Sequence, residues 1–251
     1  MTLIRGRRAE RSDVDGTRPR PDRPRPDRPL LTASGRSRAA ALLVCCAVLV
    51  TLLGALFAHQ ATADWLDRAV DSPVITVLGG HQGLALWLAA AGSTIPAVAL
   101  TAAIVVACLL GGRLNGAVLA AAAVPAATGL VDGLFKPLVH RTYLGVLTYP
   151  SGHTATIFAL AATVWVLVYP PQRARAGALR AFILVAACVL GCVVAIGVIG
   201  LKWHYFTDTV AGAAVGIGTV CGLALLLDLP AVRRPLAWIS RRLPSRGMTA
   251  G

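Results

Sequence analysis

Apolar residues in this chain are bunched into long runs rather than spaced at a helical period. Such runs lie at about 39–59, 84–111, 114–135, 152–169, 181–201 and 207–228. Each is close to the length that an α-helix needs to cross ~30 Å of hydrocarbon at about 1.5 Å per residue. A soluble bundle would carry a polar stripe along every helix, and these runs have none. The pattern predicts an all-α, polytopic membrane protein, with six transmembrane helices forming one bundle over residues 39–228.

The flanks have the opposite character. Residues 1–38 hold 11 arginines, 5 acids and few large apolar groups, with Arg18-Pro19-Arg20-Pro21-Asp22 repeated at Arg23-Pro24-Arg25-Pro26-Asp27. Such a segment cannot bury a core and is expected to be a disordered, basic cytoplasmic tail that meets acidic headgroups or only enforces topology. Residues 229–251 form a second basic tail, with Arg233, Arg234, Arg241, Arg242 and Arg246. Ala61-Thr62-Ala63 resembles a signal cleavage site, but the preceding basic region and apolar run are both long for a signal, so the first span is read as retained. Residues 60–83 interleave Asp64, Asp67, Arg68 and Asp71 with Trp65, Leu66, Val70, Val74 and Ile75, the composition of an interfacial amphipathic segment.

Composition agrees with this picture: 56% of residues are hydrophobic and 14% charged. The net charge of +13 sits on tails and short loops beside apolar spans, which points to orientation and anionic lipid rather than to nucleic acid. All six cysteines (Cys45, Cys46, Cys108, Cys188, Cys192 and Cys221) lie inside apolar runs, where they read as small buried hydrophobes.

Charge also sets the sidedness. Threading the spans places 20 Lys and Arg residues inside and 4 outside, so both termini are expected in the cytoplasm. The exceptions are Arg68, Lys136, Arg141 and Lys202, which include both lysines of the chain; all five histidines fall on the same outer side. Positive charge kept on the disfavoured side suggests that it binds an anion.

Three outer segments carry the candidate chemistry: Lys136-Pro137-Leu138-Val139-His140-Arg141, Pro150-Ser151-Gly152-His153, and Lys202-Trp203-His204-Tyr205-Phe206-Thr207-Asp208. Lys136 and Arg141 are cations suited to phosphate oxygens. Ser151 and Gly152 precede a helix whose first N–H groups have no internal partner, a cradle for an anion. His204 and Asp208, four residues apart, share a helix face, and a carboxylate on one imidazole nitrogen would leave the other free to attack.

These residues resemble the type 2 phosphatidic acid phosphatase superfamily, over about residues 60–228. Pro150-Ser151-Gly152-His153 matches its second motif, His204 with Asp208 matches the His-x-x-x-Asp end of its third, and Lys136 opens its first. The resemblance implies that His204 is a nucleophile forming a phosphohistidine, that Asp208 orients it, and that His153 protonates the leaving oxygen. Lys136, Arg141, Ser151 and Gly152 would hold the phosphate, with no metal ion and no cofactor. Two positions depart from the family pattern: Tyr143-Leu144 replaces an Arg-Pro pair, and Gly197-Val198 replaces Ser-Arg. Lys202 is the cation placed to compensate.

The expectation is therefore a metal-independent phosphatase acting on a phosphomonoester or pyrophosphate of a membrane lipid, with its active site on the outer face of the cytoplasmic membrane. The alternatives are a phosphotransferase with the same histidine chemistry and a non-catalytic lipid-phosphate binder or transporter. A zinc enzyme is disfavoured because the chain has no His-Glu-x-x-His pattern.

Overall fold

The computed structural model describes residues 29–168 and 174–242. Most of the basic N-terminal tail, the loop at Pro170-Pro171 and the final nine residues, 243–251, lie outside the described part. Within it the chain forms α1 (Ala33–Phe57), α2 (Trp65–Leu78), α3 (Gln82–Ala90), α4 (Thr94–Leu110) and α5 (Leu114–Leu130). A π-helical turn (Val131–Phe135) leads into α6 (Lys136–Val139). A two-stranded hairpin, β1 (Thr142–Tyr143) and β2 (Val146–Leu147), precedes α7 (Gly152–Leu167), α8 (Ala174–Gly200), α9 (Phe206–Leu227) and α10 (Pro230–Arg242). The architecture is an all-α bundle with, among the described residues, five helical segments long and apolar enough to cross a membrane: Ala33–Phe57, Gln82–Leu110, Leu114–Val139, Gly177–Gly200 and Phe206–Leu227. The sixth expected span is α7, which is apolar but has 16 residues; at about 1.5 Å per residue it reaches only ~24 Å.

Several boundaries differ from the apolar runs, each for a local reason. The chain is already ordered within the expected tail: α1 starts at Ala33 because Thr32 caps it, accepting the Gly35 amide at 3.1 Å. Just before that cap, Leu30 and Leu31 are buried, and their amides donate to the two carboxylate oxygens of Asp228 at 2.8 and 2.9 Å. Asp228 also pairs with Arg36 at 3.4 Å, so one carboxylate ties the start of α1 to the end of α9. The run at 84–111 is broken at Ala91–Ser93, where Ser93 has the extended backbone of an N-cap and Pro96 falls in the first turn of α4, which needs no N–H there. Pro137 is accommodated inside a helical span because the preceding turn widens to the π geometry, with the Lys136 amide reaching back to the Val131 carbonyl. Part of the expected C-terminal tail is helical, as α10.

The bundle closes around α9, which packs against α1, α5 and α7. A Cβ added at Gly216 would run into the Ala155 carbonyl and lie 2.8 Å from the Ala159 amide, and one at Gly212 would strike the Ser151 carbonyl and Thr154 Oγ1. Backbone therefore meets backbone along the α7–α9 contact, as small residues permit where lipid supplies no hydrophobic drive between helices. Gly197 plays the same part between α8 and α3, where an added Cβ would fall 2.5 Å from the Ala89 amide. Large apolar side chains such as Leu52, Val98, Leu110, Phe182 and Val185 are exposed on the outside, as a lipid-facing surface requires. Cys46, Cys108 and Cys221 are buried, whereas Cys45, Cys188 and Cys192 lie on that outer surface, not in the core expected for them.

The α7–α9 contact makes a prediction. Gly216→Ala should destabilise the protein by about 1–3 kcal/mol, the scale of overpacking. Gly129→Ala, on an exposed stretch of α5 with nothing within 4 Å, should be neutral or stabilising. Thermal unfolding of the two variants in detergent separates them.

Candidate functional site

All the residues singled out from the sequence gather at one end of the bundle, the end opposite Asp228. The chain reaches it through α6, which stops at His140 in the left-handed conformation (φ 51°). The hairpin follows, with Thr142 opposite Leu147 and Tyr143 opposite Val146. Its two-residue turn, Leu144-Gly145, has positive φ at both positions, 50° and 81°. Proline, locked near −65°, could not occupy position 144 of this turn, so the Arg-Pro pair of the family pattern is incompatible with it. The hairpin places Arg141 beside Thr148, whose amide donates to the Arg141 carbonyl at 3.0 Å.

Arg141, expected among the phosphate ligands, is instead fully buried and held by the protein itself. Its Nη1 donates to Thr207 Oγ1 and to Asp208 Oδ1, both at 2.7 Å, and its Nη2 donates to Asp67 Oδ2. The guanidinium lies 4.2 Å from the ring centroids of both Phe57 and Tyr205. Both of its amino groups are thus bonded to side chains of α2 and α9, while its buried Nε–H has no partner. A buried cation is stable only with such partners, and removing one partner from a buried pair typically costs ~3–5 kcal/mol.

His204 is buried to 8% exposure, and its Nδ1 lies 2.8 Å from the Thr148 carbonyl oxygen. A carbonyl only accepts, so Nδ1 carries a proton, and in the neutral imidazole Nε2 keeps its lone pair. Asp208, expected to bond this imidazole, stands 3.9 Å away, outside hydrogen-bond range. Its Oδ2 accepts the Tyr205 amide at 3.0 Å and its Oδ1 takes Arg141. Asp208 therefore shapes the turn that carries His204, while a backbone carbonyl fixes the tautomer. His153, half-buried in the first turn of α7, faces His204 with ring centroids 6.3 Å apart, and its ring centroid lies 5.6 Å from that of Trp203. Gly92, in the α3–α4 break, leaves room for it: a Cβ there would come within 2.9 Å of His153 Cβ.

Beside the two imidazoles lies the start of α7. Ser151 is fully buried, its amide donates to the Asp208 carbonyl at 2.9 Å, and its Oγ has no partner. Gly152 opens the helix, and a Cβ added there would meet only Val131 Cγ1, at 3.9 Å. Lys136 is half-buried, close enough to influence His153, and pairs with the exposed Asp132 one turn earlier at 2.8 Å. Lys202 is exposed, at the left-handed position (φ 59°) that ends α8. Its amide returns to Ile199 at 2.8 Å and that of Trp203 to Val198 at 2.9 Å, the paired bonds of a Schellman cap in which glycine is usual. Val198 itself is fully buried among Ala89, Ile157 and Val194, so an arginine at this position would place its stem in an apolar core.

Three contributors were not singled out from the sequence: Thr148, Asp67 and Asp71. The two acids left a trace, since they stand four apart on α2 and so share a face. That face is turned inward, leaving Trp65 exposed. Among the described residues, no group of three or more His, Cys, Asp or Glu side chains is gathered to hold a metal ion.

Asp71 accepts the Phe206 amide at 3.1 Å and is pushed up to about 7 by burial, then by the charge of Asp67; the amide bond opposes the shift. Asp208 also raises it and Arg141 lowers it, and Tyr143 lies close by. Because the fold favours the protonated carboxyl, Asp71 stabilises at low pH, and that contribution is lost as pH rises from about 4 through about 7. Asp71→Asn is neutral throughout. Its melting temperature should exceed the parent's by more at pH 8 than at pH 5, a difference that thermal scans in detergent would show.

A family model, that of the PAP2 superfamily, matches residues 16–229. Comparisons with curated proteins and with solved structures give no match. Superfamily members are phosphatases, which supports a hydrolase of phosphate esters here. With the helical bundle and the clustered motifs in view, and with most of its length matched, this chain belongs to the PAP2 superfamily.

Proposed function

We propose that this protein is a metal-independent lipid phosphatase that cleaves a phosphomonoester or pyrophosphate at the outer face of the cytoplasmic membrane, through a phosphohistidine on His204. The observation that carries the reading is the imidazole of His204: Nδ1 is tied to the Thr148 carbonyl, and the ring faces His153 across 6.3 Å between centroids. Reacting atoms need to approach to about 3–3.5 Å, so a phosphoryl group fits between the two rings.

In this reading the lone pair of Nε2 attacks phosphorus, the bond to the lipid oxygen breaks, and His153 gives that oxygen a proton. His153 then takes a proton from water, the water oxygen attacks phosphorus, and the P–N bond breaks to release phosphate. Asp208 acts through the turn that holds His204. The phosphate rests on the unpaired Ser151 Oγ and the first amides of α7 at Gly152, with Lys136 and Lys202 supplying charge. Arg141 leaves the set of phosphate ligands and belongs to the scaffold. A lipid substrate is supported by the membrane-spanning helices and by a site at one end of them.

Phosphate release from a panel of lipid phosphates, measured on detergent-purified protein with a chelator present, tests this reading. Loss of release under chelation, or no release from any lipid, would overturn it. His204→Ala should abolish both turnover and the acid-labile phosphoprotein. His153→Ala should slow ordinary substrates strongly and those with a good leaving group much less, because the latter need little protonation; equal loss on both would refute this division of roles. Lys202→Met keeps the stem and removes the charge, and should lower kcat/KM by ~10²-fold if the lysine meets a phosphate oxygen. A variant as active as the parent would make Lys202 an interfacial anchor only.

A further inference from the structure

The first turn of α9, which follows directly on His204, borrows its capping groups from another helix. The amides of Phe206 and Thr207 have no partner within α9. Asp71 Oδ1 accepts the first at 3.1 Å and Asp67 Oδ1 the second at 2.9 Å. Asp67 uses its other oxygen for Arg141, and Arg141 spans to Thr207 and Asp208. On the backbone side, the Arg141 carbonyl accepts Thr148 N–H, and the Thr148 carbonyl accepts Nδ1 of His204. The bonds close a ring: Asp67, Arg141, Thr148, His204, the turn at Tyr205, Thr207, and Asp67 again.

From this ring we propose that α2 is a positioning element for the reaction, with Asp67 as its principal positioning residue and Asp71 as its second. Asp67 touches neither His153 nor the space beside it. It fixes where the His204 imidazole stands by setting both ends of the segment that carries it: the α9 amides on one side and the Arg141–Thr148 arm on the other. Three features support a role beyond generic stability. Asp67 is fully buried with both oxygens used, so it admits no solvent substitute. Its partners converge on one imidazole rather than on the core. The imidazole has no carboxylate of its own within hydrogen-bond range, so its orientation depends on this indirect support. The proposal rests on His204 being the nucleophile.

The test compares Asp67→Asn and Asp67→Glu with the parent, as full-length protein in detergent, with monodispersity and thermal unfolding recorded first. Asn keeps the shape but loses the charge that holds Arg141. Its kcat should fall by ~10–10²-fold with KM little changed, the consequence of a reacting group displaced by about an ångström. Glu restores the charge on a longer arm and should recover part of that loss. A second readout is independent of activity: acylation of His204 by diethyl pyrocarbonate, followed by mass spectrometry. Loosening the ring should make His204 react several-fold faster in Asp67→Asn, while exposed His59 and His81 serve as references. Parental kcat and parental His204 reactivity in a folded Asp67→Asn would overturn the proposal, as would a change confined to KM. Should Asp67→Asn fail to fold, Asp71→Ala removes the acceptor of the Phe206 amide and should raise His204 reactivity more modestly; parental reactivity there overturns it equally. If the parent releases no phosphate from any lipid, the phosphatase reading fails, and the acylation rates still decide whether α2 holds His204.

Discussion

The guanidinium of Arg141 is the charge around which this end of the protein is organised. It is fully buried, bonded to carboxylates of α2 and α9 and placed between the rings of Phe57 and Tyr205. A cation cannot remain in so dry a place without compensation, and each carboxylate is equally costly without the cation. The group can therefore be assembled only when α1, α2, the hairpin and α9 have all arrived. Such an arrangement contributes little net energy compared with an apolar core of the same size, but it specifies one geometry. Helix α7 begins four residues after Thr148, whose amide bonds this arginine's carbonyl, and the histidine proposed as nucleophile stands three residues before Thr207.

The same end of the bundle is shaped by absence of bulk. Gly212 and Gly216 bring the backbone of α9 onto that of α7, and Thr154 Oγ1 donates across the contact to the Thr209 carbonyl at 3.0 Å. The starts of these two helices are thus held side by side, so His153 in the first turn of α7 faces His204 in the turn that precedes α9. Left-handed backbone at His59, His140, Leu144 and Lys202 turns the connecting segments at this end, at a cost of roughly 1–2 kcal/mol each for residues with a Cβ. Non-glycine residues in this conformation cluster where a structure over-determines its loops, and functional sites are common among such places.

With Arg141 withdrawn into the scaffold, the proposed phosphate site depends on backbone amides, one hydroxyl and two lysines. Lysine is a point charge on a flexible stem, whereas arginine is a planar fork, so orientation of the phosphate falls more heavily on Ser151, Gly152 and the two imidazoles. The buried, unpaired Ser151 Oγ is consistent with a donor kept for a ligand.

What the sequence by itself determined is whatever is written along a single segment. Run length shows which stretches are fit to cross a bilayer, since that depends only on rise per residue and apolar composition. Motif spacing brought Lys136, Ser151, Gly152, His153, His204 and Asp208 to attention, and charge asymmetry led to the expectation that they share one side of the membrane. The break at Gly92-Ser93 and the tolerance of Pro137 were also legible in principle, from cap and proline chemistry. Only the tertiary structure decided which partner each charged or polar group received. Arg141 meets Asp67 and Asp208 across 74 and 67 positions of chain, and His204 meets the Thr148 carbonyl across 56. No local rule distinguishes an arginine that will grip phosphate from one that will be consumed by two buried aspartates. The difference lies in which way the inward face of α2 turns, and that is set by packing between helices rather than by the pattern along any one of them.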